Sequence, residues 1–558
     1  MTGAEAFLQV LRRSGVRYVF GVPGTTEVAL IDELAGADDI QYILGLHEGV
    51  VVAMADGYYR GGGGPGVVSL HTTMGTANAL SMCHSASKDR SAVVVTAGNK
   101  SSRILGRDCF CEAPFHIADL PRQFTKWSWE VTRPERIPEA LVRALKVATA
   151  PPAGPVFLSI PEDLLAAEGD FEVGDPKRFF IGPTVRGDQA RIEEAAQMLK
   201  EAENPVLLMG NEVGRMGALQ EAAALAELVG APVVTEEKMG LTNLNFPADH
   251  LLYRGTFRPE LVSGADVLLA VGAGMFTEFA PPEKPWVPGA TRVIHIHRDP
   301  WEIGKIYQAD VAVVADARSA LVDLYSALDG LLDESTRKHW AERLEFERRR
   351  GLEAARAREE EMKKGWGDVP IRLTRLLAEL RAVAPSNTVV VNEGIMASPY
   401  LQKYFPMNEP GSYHATAASS LGWGFPAALG VKLAQPERPV VAFVGDGSFC
   451  FTPQSLWTAA RYRIPVVGLI VNNRAYMAVK AATIGFGGKA ARRRVYPGSE
   501  LVDPAVDFVG LARSFGVEAK RVVEPTELRP ALEGAFAAGG PVLVEVVIEP
   551  KDTEKPVV

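Results

Sequence analysis

Two apolar runs in the last third of the chain end on residues that folding alone does not require. VVAFV closes on Gly445, Asp446, Gly447 and Ser448, and after one helix-length segment VVGLIV closes on Asn472 and Asn473. The Asp446 carboxylate and the Asn473 amide oxygen are hard ligands of the kind Mg2+ takes, with phosphate oxygens filling the remaining positions. Gly445 and Gly447 let backbone N–H groups approach those phosphates, and the helix opened by Ser448 lends its positive end. A lone GDG would read as a turn or a helix cap. Two strand ends offering oxygen together predict a divalent cation that holds a diphosphate. Two further residues are placed for proton chemistry. Glu48 follows an apolar strand and opens a helix, where a carboxylate serves as a dipole partner or as an acid–base group. His71 ends the strand VVSLH, and its neutral-range titration suits proton delivery to a reacting carbon.

Such residues need strands that deliver them to one edge. Apolar runs of four to seven residues, rich in Val and Ile, alternate with helix-length segments along most of the chain, which predicts parallel sheets covered on both faces. Three α/β blocks follow. Residues 1–167 hold YVFGVPG, QYILGLHE, GVVSLHT, AVVVTAG and GPVFLSIPEDL, and close at the polar stretch AEGDFEVGDPKRFFIGPTVRGD. Residues 185–330 hold PVLLMGN, APVVTEEK, ADVLLAVGAG, TRVIHIHRD and VAVVADA. Residues 331–368 form a charged helical connector of alternating sign, expected to be solvated. Residues 369–558 hold TVVVNEG, PVVAFVGDGS, PVVGLIVNN and GPVLVEVVIEP. The fold class is α/β with three doubly wound parallel-sheet domains of similar order and size. In such sheets the ligand crevice lies beyond the carboxyl ends of the strands, where the GDG and the Asn pair fall.

Composition narrows the function classes. With 558 residues, 47% hydrophobic and 23% charged, the chain is long enough for several cores, and a net charge of -9 gives no general attraction to nucleic acid. Four cysteines are too few for a disulfide framework, and Cys109 and Cys111 lack zinc-site spacing. No apolar run approaches a membrane span, and the first residues read as an amphipathic helix, so a cytoplasmic enzyme is expected. In the central block, GNEVG and GAGM fall short of a G-x-G-x-x-G fingerprint, so that block is expected to be structural without a flavin or nicotinamide.

GDGS, the 24 residues from 448 to 471, and then the Asn pair resemble the diphosphate motif of thiamine-diphosphate-dependent enzymes. The likeness runs the length of the chain in the order pyrimidine-binding, central and diphosphate-binding domain. VFGVPGTTE, LHEGVVVAMADGYYR, SLHTTMGTANAL, RQFTKWSWE, PGSYHATAASSLGWGFPAALGV and LWTAARYRIP are similar to segments of its benzoylformate decarboxylase branch. The resemblance implies Mg2+ held by Asp446, Asn473 and the Ala475 carbonyl, with Gly445, Gly447, Ser448 and Tyr476 beside the diphosphate. It implies that Glu48 hydrogen-bonds the aminopyrimidine ring, that Leu421 props the cofactor into its bent shape, and that Glu393 makes another cofactor-side contact. His71 would be a catalytic histidine, and Thr25 would hold the substrate carboxylate in place of a serine; His47 is read as a packed neighbour. The implied reaction is decarboxylation of a 2-oxo acid through a C2 ylide and an enamine, followed by protonation to an aldehyde or ligation to an aldehyde acceptor. A homodimer would be the minimal unit and a homotetramer its expected assembly.

Departures from that branch matter equally. Its second histidine aligns with Phe279, which favours ligation or lyase chemistry over simple decarboxylation. The paired histidines of pyruvate decarboxylases are absent, and GRDCFCE fills that loop. Ala415 and Ala482 stand where bulky aromatics occur, Phe110 and Cys111 replace aliphatics, and Ser419 and Ser420 replace two glycines. With Ala478 these imply a reshaped, larger substrate pocket. Arg492, Arg493 and Arg494 form the one concentrated basic stretch, which would meet an anionic tail or, more simply, stay solvated. The alternatives are an acetolactate-synthase-like synthase or 2-hydroxyacyl-CoA lyase, and a cofactor-binding regulator without catalysis.

Overall fold

The computed structural model describes residues 1–113, 115–279 and 281–554. It contains three six-stranded sheets in which every paired neighbour is parallel. The first holds β1 (Tyr18–Gly21), β2 (Gln41–Leu44), β3 (Gly66–His71), β4 (Val93–Asn99), β5 (Ser128–Glu130) and β6 (Val156–Pro161). The second holds β7 (Pro205–Met209), β8 (Val233–Thr235), β9 (Tyr253–Thr256), β10 (Val267–Val271), β11 (Arg292–His297) and β12 (Val311–Val314). The third holds β13 (Val389–Glu393), β14 (Tyr413–Ala415), β15 (Val440–Gly445), β16 (Val466–Asn472), β17 (Glu518–Val522) and β18 (Val542–Val547).

Strand order separates the blocks. The first sheet runs β2-β1-β3-β4-β6-β5 and the third runs β14-β13-β15-β16-β18-β17, which is the same order in domain terms. The central sheet runs β12-β11-β10-β7-β8-β9, the 3-2-1-4-5-6 arrangement of dinucleotide-binding folds. The sequence expectation of three alike blocks therefore holds for the outer two, and the central block is wound differently.

The inner strands are buried along their whole length, as in β4, β10 and β16, because helices cover both faces. Val and Ile suit those positions since their branched side chains pack well on a pleated surface. The connector forms one helix, Glu334–Met362. It is less solvated than its charge pattern implies. Trp340 enters the central core, a Cβ on Gly351 would lie 2.0 Å from the Leu251 carbonyl, and Glu347 meets Arg254 at 2.7 Å in a largely buried pair.

The outer domains share one hydrophobic core. Its seam is the helix Glu48–Arg60, which follows β2, against the helix Gly424–Ala434, which follows β14. Glycines make the crossing close: a Cβ on Gly57 would sit 2.1 Å from the Ala427 carbonyl, and one on Gly430 1.9 Å from the Met54 carbonyl. No described helix is long and apolar enough to cross a membrane.

Candidate active site

In both outer domains the strand order reverses between the first and third strands, which places a crevice at their carboxyl ends. In the third domain these ends carry Glu393 and Gly445, with Asp446 opening the short helix Asp446–Phe449. Asp446 is 2% exposed. Burial pushes its carboxyl up to about 6, and the N–H groups of Gly447, Arg474 and Ala475 pull it back. The Ala475 N–H donates to Asp446 Oδ2 at 3.2 Å and to Asn473 Oδ1 at 3.0 Å, so the two oxygens converge on one point. Among the described residues no basic side chain forms an ion pair with Asp446. A buried carboxylate without a counter-charge, beside a second hard oxygen, fits a divalent cation. A Cβ on Gly447 would lie 2.7 Å from the Tyr476 ring, so only glycine leaves the backbone open there.

The first domain presents different chemistry at matching ends. Glu48 is half-buried at the start of its helix, and its Oε2 accepts from the Asn78 amide at 3.0 Å. His71 ends β3, with Nδ1 3.1 Å from Glu27 Oε2 and 3.0 Å from Thr26 Oγ1. Glu27 is buried and also accepts from Gly24 N–H at 2.8 Å, Gly98 N–H at 2.9 Å and the Thr26 hydroxyl at 2.7 Å. A carboxylate holding that many donors is an acceptor, so His71 donates through Nδ1 and leaves Nε2 free to carry or take a proton. Thr25 is exposed beside this group, and His47 caps the Glu48 helix by accepting from the Gly49 N–H at 3.0 Å.

Backbone strain marks the same turns. Thr72, Ile395, Ser419 and Arg474 have φ of 47°, 47°, 54° and 61°. Each follows a strand that delivers a candidate residue, and positive φ at β-branched Thr72 and Ile395 is costly.

The remaining sequence candidates are spread out. Glu393 is buried, and its oxygens accept from the Gly422 and Gly424 N–H groups, both at 2.7 Å. Its contacts are thus to the turn that carries Leu421, which is half-buried. Phe110 and Phe279 are 81% and 84% exposed, and Ala478 and Ala482 lie exposed on the helix Met477–Phe486. Cys111 is half-buried with φ 65°. Ala415 is buried in β14, where its N–H reaches the Thr242 carbonyl of the central domain. These six occupy four separate segments. Sequence reasoning missed Glu27, Thr26 and Asn78. Glu27 was signalled by its place three residues after Gly24, the spacing at which an acid reaches back to a cap N–H.

A cleft of about 810 Å³ opens at the central-domain switch point, lined by Lys88, Arg90, Arg215, Glu236, His297 and Trp301 among others. Its arginines are matched internally, Arg90 to Asp299 and Glu302 at 2.9 Å and Arg215 to Glu212 at 3.4 Å.

Three family descriptions match in succession: thiamine pyrophosphate enzyme N-terminal TPP binding domain over residues 1–119, central domain over 192–324, and C-terminal TPP binding domain over 396–546. The chain belongs to the thiamine pyrophosphate enzyme family. The enzyme is 33% identical to the benzoylformate decarboxylase of Pseudomonas aeruginosa over 98% of its own length and 99% of the relative's. It is 31% identical to a probable acetolactate synthase large subunit of Methanocaldococcus jannaschii, covering 99% and 93%. Among solved structures it resembles a thiamine-diphosphate-dependent 4-hydroxybenzoylformate decarboxylase of Rhodococcus jostii RHA1, with TM-score 0.84, 30% identity and coverage of 98% and 99%. Benzoylformate decarboxylase of Polynucleobacter necessarius gives TM-score 0.84 at 25% identity, covering 100% and 99%.

Proposed function

We propose that this enzyme decarboxylates an aromatic or similarly bulky 2-oxo acid and releases or ligates the resulting aldehyde. The observation that carries the reading is the convergence of the buried, uncompensated Asp446 carboxylate and the Asn473 amide oxygen. Asp446, Asn473 and the Ala475 carbonyl would hold Mg2+, and Gly445, Gly447, Ser448 and Tyr476 would line the diphosphate. Bound thiamine diphosphate would supply an electron sink for the carbon that loses carbon dioxide.

The protein's part is binding, proton handling and exclusion of water. Glu48, oriented by Asn78, would accept a hydrogen bond from the aminopyrimidine and so favour the tautomer whose imino group is basic. His71, fixed by Glu27 and Thr26, presents Nε2 to move a proton at the substrate carbon or oxygen. Thr25 offers its hydroxyl to the substrate carboxylate. Leu421 gives an apolar prop beside the diphosphate-binding turn.

Apolar side chains are exposed near both groups: Leu46 and Met74 near Glu48 and His71, and Phe451 and Val479 near Asp446 and Asn473. Covering them with a second copy supports a homodimer as the active unit, with a homotetramer as a pair of dimers. A second reading, an acetolactate-synthase-like or 2-hydroxyacyl-CoA lyase reaction, is favoured by Phe279, which has no proton to transfer where the branch carries its other histidine. The test is carbon dioxide release from benzoylformate with thiamine diphosphate and Mg2+. Release without an acceptor supports decarboxylation, release only with a second carbonyl compound supports a synthase, and cleavage of a 2-hydroxyacyl thioester supports a lyase. Turnover of none of these with cofactor bound contradicts an enzymatic role.

A further inference from the structure

The turn through Gly422, Trp423 and Gly424 is gripped from three sides. Glu393, at the end of β13, accepts the Gly422 N–H on Oε1 and the Gly424 N–H on Oε2, each at 2.7 Å. The Thr452 hydroxyl donates to the Gly422 carbonyl at 2.7 Å. Trp423, fully buried between the two glycines, donates its indole N–H at 2.7 Å to Asp56 Oδ2 on the Glu48 helix. The glycines are what admit this grip. Gly422 has φ +89°, and a Cβ there would lie 2.7 Å from the Phe451 side chain. A Cβ on Gly424 would lie 2.8 Å from Glu393 Cβ.

Upstream, the Ala417 N–H donates to Asp89 Oδ1 at 3.0 Å and the Ser420 hydroxyl to the Ser81 carbonyl at 3.0 Å. Leu421 sits between these anchors, adjoining the turn, and the dihedrals of the turn set where its side chain points. Glu393 has no basic partner among the described residues, and burial pushes its carboxyl up to about 7 against the N–H groups that pull it down. Burying this acid costs stability, and the cost is offset only by backbone N–H groups of this one turn, held in this geometry.

We infer that Glu393 is a positioning residue that acts through Gly422 and Gly424 to fix Leu421, with Asp56 tying the same turn to the Glu48 helix. The inference rests on the proposed thiamine-diphosphate site, since it is the apolar prop of that site that Glu393 would set. A glutamine at 393 keeps the size but accepts with one oxygen only, and it turns an N–H donor toward a second N–H.

The test is calorimetric titration of the metal-free apo-enzyme with Mg2+ and either thiamine diphosphate or inorganic diphosphate. Inorganic diphosphate lacks the rings, so it reads the Asp446–Asn473 anchor without the prop. Glu393→Gln is expected to weaken thiamine diphosphate by about ten- to hundredfold, the loss of a charge-assisted bond, and to leave inorganic diphosphate within about threefold. In a Leu421→Ala background the same substitution is expected to move thiamine diphosphate affinity by less than about threefold, because the two act in series. Unchanged affinity, equal loss for both ligands, or the full loss persisting beside Leu421→Ala overturns the positioning role. Wild-type enzyme that binds inorganic diphosphate but not thiamine diphosphate overturns the site reading itself, a distinguishable result. Where Glu393→Gln does not fold, Thr452→Val carries the same comparison, with an expected ligand-selective loss of about three- to tenfold.

Discussion

The first and third domains have one strand order and opposite electrostatics at matching strand ends. Near the end of the first strand of each stands a buried glutamate, Glu393 as the last residue of β13 and Glu27 six residues beyond β1, and the third strand ends on His71 in one domain and leads into Asp446 in the other. After the second strand come Glu48 in one domain and the Leu421 turn in the other. Glu27 is tied to an imidazole and a hydroxyl, and Glu48 to an amide, so the proposed proton handling falls to the first domain. Asp446 meets only backbone donors and has no basic partner among the described residues, which is why it is the proposed cation site. The scaffold fixes where side chains arrive, and the partner each one meets decides what it does.

The largest expected effect falls on the proton-handling side. Glu48→Gln is predicted to lower kcat by at least about a hundredfold while cofactor affinity stays within a few-fold, since the amide keeps the shape and loses the charge. Steady-state kinetics with calorimetry read both, and near-normal turnover would remove Glu48 from its role.

Asp446→Asn breaks the other side, with Mg2+-dependent cofactor affinity expected to fall at least about a hundredfold. It also has a pH signature in the apo-enzyme. The folded carboxyl is raised to about 6 from an ordinary 3.8, so its contribution to stability is whole below about 4 and is lost as the pH rises through about 6. Asp446→Asn is therefore expected to match wild type at pH 4 and to exceed it by about 3 kcal/mol at pH 8 without metal, seen in denaturant melts. A difference that shrinks as the pH rises would refute the burial argument.

Gly57→Ala tests the seam between the two domains. A methyl 2.1 Å from a backbone carbonyl cannot be relieved by a rotamer, so a loss of about 2–4 kcal/mol is expected, and Gly430→Ala should cost a similar amount. Glu27→Gln is expected to lower kcat about tenfold by loosening His71, with cofactor affinity unchanged. The smallest effect is assigned to the triple change of Arg492, Arg493 and Arg494 to Ala, within about twofold for benzoylformate. These residues lie on the surface around the short helix Lys489–Arg493. A large effect there, confined to substrates with an anionic tail, would favour the acyl-CoA reading.

What the sequence made legible follows the apolar runs. Fourteen strands with apolar cores stood out, and the four that did not are β5, β9, β14 and β17, all at sheet edges. SWE, YRGT and EAKRV are partly exposed and lack the Val-rich run that marks an inner strand, whereas YHA is buried, with Ala415 bonded to the central domain, but is only three residues long and carries no Val or Ile. Asp446, Asn473, Glu48 and His71 were legible because each ends or follows an apolar run. Glu27 was hidden because its partners, Gly98 and His71, are distant in sequence and adjacent only through the β1–β3–β4 pairing. Glu393 was noticed for a cofactor contact, whereas its oxygens meet backbone N–H groups about thirty residues away, a partnership that spacing alone does not reveal.

The most direct measurement of the central claim is a calorimetric titration of metal-free apo-enzyme with thiamine diphosphate, with and without Mg2+, for wild type and Asp446→Ala. The account predicts one cofactor per chain, binding that requires Mg2+, and its loss in the variant. Absence of binding by wild type, or binding indifferent to both Mg2+ and Asp446, would contradict it.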